Sequence, residues 1–494
     1  MKKRNKFNLD KPLMTTFDMG ELVPIGVTEV LPGDTFNHST SALVRLAPLN
    51  SPVMHPCHVI IHHWFVQTRN LWVDFENYIT GGPDGTSAPV KPYITTPVST
   101  GFTIGSLGDY LGLKPGVASR QVSALPFRAY AFLVNNCYRD QDLMPLVGFS
   151  TASGADTTTN TALQNVAWGK DYETTARPWE QKGVEVSSPL AGTAPVLGLG
   201  VKAAAVYTTS GAGFNESDGT AGSGSNWSLM ATNDMAIQGN NTTKIPAVYV
   251  DGADFEAPSI NEQRFAYAWQ RVLEARSRNG SRYPELLRAW GIMPDDATIN
   301  RPVYLGGGKQ TIQFSEVLGT SSTNLADLGG HGIGAMRSNR YNKTFKEHGY
   351  VISLMFVRPI GIYSDGIERF WTRTNREQEW QPELQHLGQQ TVYNDEIDMA
   401  SASPRDTFGF QDRGDEWRRG FAHVTGEMRP GGIHDTYTMA RGFGSPPALN
   451  ETFVKCVPTK DIFQAPSEDG LIVMINHSIK ARRLVSKSGN SFIR

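Results

Sequence analysis

The sequence predicts a mainly β protein, a sandwich in which early and late strands pair together. Three observations predict it. Glycine and proline are plentiful, 49 and 29 in 494 residues, and long helical heptads are missing, which favours many short strands joined by long loops. Near-continuous apolar runs of strand length occur at 58–66, 349–359 and 470–479, and such runs suit central strands covered on both sides. These runs lie towards both ends of the chain with long irregular connections between them, as in a sandwich whose outer strands return to share a sheet.

The first run belongs to the stretch Met54 to Val66, which places four histidines and a cysteine in thirteen residues. Both are common transition-metal ligands. Strand alternation divides them, however. His58, Ile60, His62 and Trp64 point one way; Cys57, Val59, Ile61, His63 and Phe65 point the other. No Cys-x-x-Cys or His-Glu-x-x-His spacing occurs, and His58-x-x-x-His62 is wider than the His-x-His pair of a cupin-like enzyme. The expectation is therefore no metal, with the histidines hydrogen-bonded in a polar layer of a sheet or at a subunit contact.

Further along, residues 126–135 read as a second strand, and Pro359 closes the strand at 349–359. One helix interrupts the strands. Ser259 and Glu262 form a capping box, Phe265, Trp269, Val272 and Arg276 follow at helical spacing, and Asn279-Gly280 ends it. Arg264, Arg271, Arg276 and Arg278 flank its aromatic stripe. This is either a packing helix with a solvated basic face or a contact with a neighbouring subunit or phosphate. Residues 283–291 read as a shorter helix with Pro284 in its first turn.

Net charge is −2 and the hydrophobic fraction 39%, which excludes a disordered chain and a globally basic nucleic-acid binder. Cys57, Cys137 and Cys456 are odd in number and far apart, as reduced thiols of a chain folding in a cytoplasm would be. The basic N-terminus lacks the apolar core of a secretory signal, and no eighteen-residue apolar run spans a membrane. Residues 1–11 carry five basic side chains against one acid, and 478–494 are basic with no acid. Residues 150–252 hold nine acids, five bases and long tracts of small polar residues, a composition of exposed loops. Four segments follow: 1–149 with an arm and the first strands, the 150–252 insertion, 253–476 with the remaining strands and helical insertions, and a basic tail at 477–494.

No enzyme signature survives inspection. Gly306 to Thr311 has the look of a phosphate loop, but valine stands at 303 where the first glycine belongs, and Gln310 stands where Ser or Thr would hold magnesium. No Gly-x-Ser-x-Gly elbow occurs. Asp412 and Asp415 alternate with Arg413, Arg418 and Arg419, the pattern of salt-bridged loops rather than of a catalytic pair. Neither catalytic residues nor a cofactor are expected.

Several long phrases, in order, resemble one family almost end to end. They are residues 24–34, 54–66 with 77–82, 125–130, 139–141, 301–308, 426–432 and the basic C-terminal tail. Together they are similar to the major capsid protein of microviruses, small icosahedral single-stranded-DNA bacteriophages, of the gokushovirus type. Gln67, the wording of 136–138 and the 150–252 region depart from the family's pattern.

The resemblance implies an eight-stranded antiparallel jelly-roll sandwich with long loop insertions and a few short helices. It implies a coat protein that assembles in the bacterial host cytoplasm into the virion, as pentamers within a T=1 shell of sixty copies around a circular single-stranded DNA genome. The implied partners are an internal scaffolding protein, a small basic DNA-binding protein, a DNA pilot protein and a host surface receptor, with no membrane. The 150–252 insertion becomes the candidate for a protrusion at the threefold axes. Under this reading Lys2, Lys3, Arg4, Lys6, Lys480, Arg482, Arg483 and Lys487 are expected as lumenal phosphate contacts, since phosphate neutralisation releases counterions without base readout. Solvated tails are the plainer alternative. Two other functions stay open on the residues alone: a jelly-roll carbohydrate-binding module or adhesin, and a metal-dependent cupin-like enzyme.

Overall fold

The computed structural model describes residues 4–184, 260–279, 300–319 and 328–487, with short strand segments between 196 and 250 and a few single positions. Two compact units emerge, Met1–Glu180 with Asn279–Arg494, and Gln181–Arg278.

The first unit is built on β1 (Asn5–Asn8), β2 (Lys11–Phe17), β3 (Val23–Val30), β4 (Thr35–Leu46) and β5 (Cys57–Gln67). It continues with β6 (Val303–Thr311), β7 (Gln313–Leu318), β8 (Leu328–Arg337), β9 (Tyr341–Thr344), β10 (Gly349–Pro359) and β11 (Leu471–Arg483). One sheet runs β1–β11–β4–β8–β7, with β2 also on β11 and β9 also on β4; the other runs β6–β5–β10–β3. All these pairings are antiparallel. Take the eight strands β2, β3, β4, β5, β6, β8, β10 and β11 in chain order. One sheet then reads 1-8-3-6 and the other 2-7-4-5, the wrapped order of a jelly roll. The last strand lies beside the first, as the apolar runs at both ends of the sequence predict.

The space between the sheets is layered along the strands. At one end Val23, Ile25, Ala42, Val44, Val59, Ile61, Met355, Val357, Val473 and Ile475 form an apolar core. At the other, Val30, Phe36, Phe65, Val351, Ile479 and Ala481 form a second. Between them, each of four strands turns polar residues inward. β4 gives His38 and Thr40, β5 His63, β10 Ser353 and β11 His477, all buried. β3 gives Gly26, where a Cβ would stand 2.9 Å from His477 Nε2. The ladder between β3 and β10 skips Ile25, a bulge that leaves a carbonyl unpaired. His477 Nε2 donates to that carbonyl at 2.8 Å. Of the histidines expected in a polar layer, His63 lies in this one, whereas His62 faces the opposite side of its sheet and hydrogen-bonds Tyr138.

Residues 126–135 depart from the strand reading. They lie in helix α1 (Leu125–Leu133), which continues as a wider turn to Tyr138. Pro126 sits in its first turn, where the missing N–H costs nothing. Burial of nearly every α1 residue, against the outer face of the β5–β10 sheet and against its own connections, makes the segment apolar on all sides and hides its helical period. Arg128 from α1 is buried and donates to Asp156 Oδ2 at 2.7 Å, Leu71 O at 3.0 Å and Ala152 O at 2.9 Å. Asp156 also accepts from the Thr159 hydroxyl. That anchor, with buried Trp168 and Tyr172, ties 150–180 into the first unit, so the second unit begins at Gln181 rather than at 150.

In the second unit, α2 spans Ile260–Asn279. Its stripe is not buried: Phe265 is 70% and Trp269 42% exposed, whereas Leu273 is 5% exposed. Phe265 and Trp269 lie parallel with ring centroids 6.4 Å apart, and Arg276 lies over the Trp269 ring. Leu199–Ala203 pairs with Val206–Thr208 and Asn233–Ile237 in a small sheet. Ser259, most of the 283–291 segment and all of the tract 208–225 but Thr208 lie outside the described residues.

Asp156→Ala leaves Arg128 charged and unpaired in the interior, so urea unfolding should show a loss of about 3–5 kcal/mol. Replacing both, Arg128→Met with Asp156→Leu, should recover most of it. A double variant no more stable than Asp156→Ala would contradict this account of the anchor.

Candidate nucleic-acid interface

Alternation along β11 sends Ile479 and Ala481 inward and Lys480 and Arg482 to solvent. On one side β1 pairs with it, placing Lys6 opposite Arg482 and Asn8 opposite Lys480. On its other side β4 places Thr35 opposite Arg482 and Asn37 opposite Lys480. Lys6 and Arg482, cross-strand neighbours, therefore share a face although they come from opposite ends of the chain. Arg4 joins them through a hydrogen bond from Nη1 to Thr35 Oγ1 at 3.0 Å. Around them the side chains on this face are Asn8, Thr35 and Asn37. None of Arg4, Lys6, Lys480 or Arg482 lies within ion-pair distance of a carboxylate among the described residues.

The remaining sequence-predicted residues are placed differently. Lys2 and Lys3 lie outside the described residues, and Lys487 is exposed beyond the end of β11. Arg483 falls on the opposite parity and turns inward. Its Nε lies 3.0 Å from Asp34 Oδ2, it donates to Glu29 O at 2.6 Å, and it covers the Phe36 ring. Burial pushes the Asp34 carboxyl up, while the Leu31 N–H and Arg483 pull it back. Arg483 thus closes the end of the sandwich, and its charge is spent on Asp34. Nor are the two ends of the chain tails where these residues sit: residues 5–8 and 471–483 are strands of one sheet.

Pairing also adds a residue that the sequence reading misses. Arg337 on β8 is exposed and stands opposite Ser41 of β4, on the same solvent face. Its membership depends on register, which no local pattern around 337 reveals. Further along this face an apolar groove of about 550 Å³ is lined by Met14, Leu43, Ile104, Tyr110, Ile472 and Met474.

Elsewhere, Asp415 is held by Arg418 and Arg419 at 3.3 and 2.9 Å, the salt-bridged loop expected there. Among the described residues no group of three or more His, Cys, Asp or Glu side chains is placed to hold a metal ion. No helix among them is long and apolar enough to cross a membrane.

Comparison with known proteins agrees with this architecture. The family model described as capsid protein (F protein) matches residues 1–491. The capsid protein VP1 of Bdellovibrio phage phiMH2K is 31% identical, covering 92% of this chain and 88% of that protein. Its counterpart from Chlamydia phage 1 is also 31% identical, over 92% and 89%. That of Spiroplasma virus 4 is 31% identical, over 86% and 82%. The chain therefore belongs to the F-protein family of bacteriophage capsid proteins and, as its microvirus-like phrases imply, is a major capsid protein, a structural component of the virion.

Proposed function

We propose that sixty copies of this chain, grouped as pentamers, close a T=1 shell around a circular single-stranded DNA genome. In this reading the face carrying Arg4, Lys6, Lys480 and Arg482 is turned towards the DNA. The observation that carries it is the convergence of cations from both chain ends on one sheet face, none of them within ion-pair distance of a carboxylate among the described residues. Such a face binds phosphates of any sequence by releasing counterions. Arg337 extends the strip.

Shell contacts need surface that a lone subunit leaves uncovered. The groove around Met14, Ile472 and Met474 and the aromatic stripe of α2 are such surfaces, and exposed apolar patches of this kind mark interaction sites. Closed symmetric contacts repeated in every copy let modest individual interfaces hold a shell. An internal scaffolding protein, a small basic DNA-binding protein and a DNA pilot protein complete the assembly in the host cytoplasm. The part of the 150–252 insertion beyond Glu180 is what meets the host receptor. No turnover is required for any of this.

Reversing Lys6, Lys480 and Arg482 to Glu should leave the subunit folded and reduce packaged DNA. The slope of log affinity for single-stranded DNA against log salt should shrink by about 2, at roughly 0.7 for each phosphate no longer neutralised. Packaging and slope both unchanged would contradict the assignment. Arg483→Glu should instead lower the unfolding midpoint, because it sets a second carboxylate beside Asp34; a fully stable variant that binds DNA less well would place Arg483 back in the strip. Deleting 208–225 should abolish adsorption to the host while particles still form, and unchanged adsorption would count against the receptor role.

A further inference from the structure

The buried polar layer between the sheets carries a chain of hydrogen bonds that runs through neutral imidazoles. His477 Nε2 donates to Ile25 O, so its Nδ1 is an acceptor, 2.8 Å from Thr40 Oγ1 and 3.2 Å from His38 Nε2. Thr40 donates there and receives the His38 Nε2 proton at 3.1 Å. His38 Nδ1 then accepts from the Tyr341 hydroxyl at 3.0 Å. Both nitrogens of His63 meet hydroxyls, Ser353 at 2.8 Å and Ser338 at 3.1 Å, and Ser338 also accepts from the Thr40 N–H. From the Tyr341 hydroxyl through His38, Thr40 and His477 to Ile25 O, every donor finds an acceptor while His38 and His477 are neutral. A proton added to His477 Nδ1 or His38 Nδ1 takes away the acceptor of the Thr40 or the Tyr341 hydroxyl, which must then turn its own proton elsewhere in the buried layer.

Nothing nearby compensates such a proton. From β2, Lys11 reaches in and donates to Val27 O at 2.7 Å, adding positive charge. From β3 come only Gly26 and the Ile25 carbonyl, from β4 His38 and Thr40, from β8 to β9 Ser338 and Tyr341, from β10 Ser353. On β5, His62 lies behind His63 on the outer face. No carboxylate faces the layer among the described residues. The rings crowd each other as well: the His38 and His63 centroids are 4.6 Å apart, and those of His38 and His477 5.4 Å.

We propose that this layer is an acid latch, in which proton entry at His38, His63 or His477 separates the two sheets and opens the subunit, and with it the shell. Two neighbouring charges of the same sign in a buried layer repel strongly, so a first protonation that loosens the sheets admits water and the remaining protons follow. The device sits where all the central strands cross, so no local rearrangement of a loop can relieve it.

The direction of the pH dependence follows from the same geometry. Burial, His477 and Lys11 hold His38 down at about 3, burial and Lys11 hold His477 down at about 4, and burial with the other histidines puts His63 well below the usual value of 6.5. Each base is thus harder to protonate folded than unfolded. Stability is full above about pH 6.5 and is lost as pH falls from there towards 4. At pH 5 each histidine whose value shifts from 6.5 to about 4 lowers the folded-to-unfolded ratio about 30-fold relative to neutral pH.

The test compares urea unfolding of the unassembled wild-type protein at pH 7.5 and 5.0 with that of His38→Gln, His63→Gln and His477→Gln, using surface His434→Gln as the control. Each layer variant should remove about 30-fold of the pH effect, and His434→Gln none. Proton uptake on unfolding, measured in the wild type at pH 5, keeps the test sharp if a variant fails to fold. An uptake that the carboxylates and exposed histidines fully account for would overturn the latch, as would layer variants with undiminished pH dependence. Acid opening of particles is the second arm and rests on the shell reading. Subunits that unfold in acid while particles stay closed would contradict the claim about the shell and leave the coat role standing.

Discussion

The sandwich, its polar layer and its basic face all depend on one strand, β11. Its thirteen residues lie between β1 and β2 on one side and β4 on the other. Without it the seven-stranded sheet falls into pieces, β2 loses its partner, and Lys480 and Arg482 have no place beside Lys6. The constraint is topological as much as energetic. Pairing across nearly the whole chain carries a large loop-closure cost before any contact repays it, so the sandwich is completed last, when the C-terminal residues are available. That order suits a protein whose folded face is also its binding face: the basic strip exists only once the sheet does.

The polar layer is the second consequence of the same closure. His477 arrives with β11 and meets His38 and Thr40 of β4 and the bulged carbonyl of β3. A one-residue slip of β11 would turn His477 to solvent and bury both Asn476 and Lys480. Unsatisfied polar groups in a low-dielectric interior are costly, and satisfied ones fix a unique arrangement. The layer therefore specifies register at the middle of the sandwich, with apolar packing on either side supplying the burial energy.

Much of this is legible in the sequence, for identifiable reasons. The runs at 58–66 and 349–359 are strands buried on both faces or nearly so, and their composition announces it. The run at 470–479 is covered on one face only, with Ile472 and Met474 half exposed on the other, so its apolar outer face misled the reading. The parity of the histidine-rich strand is also readable, because alternation has no exceptions within a regular strand. Residues 126–135 mislead because α1 is buried all round; Pro126 at the start is the available helix signal. The charge excess at both ends is visible, but its geometry is not. Ile479-Lys480-Ala481-Arg482 alternates as a half-buried strand does, which separates Lys480 and Arg482 from Arg483. The pairing of Arg483 with Asp34 and the place of Arg337 depend on register between distant segments, which no single stretch of sequence encodes.

The most direct measurement is an electron cryo-microscopy reconstruction of particles assembled from this protein with its genome. Closed shells are expected in which Arg4, Lys6, Lys480 and Arg482 line the lumen against density for nucleic acid. Closed shells with that sheet face on the outer surface, or buried against a neighbouring copy, would contradict it.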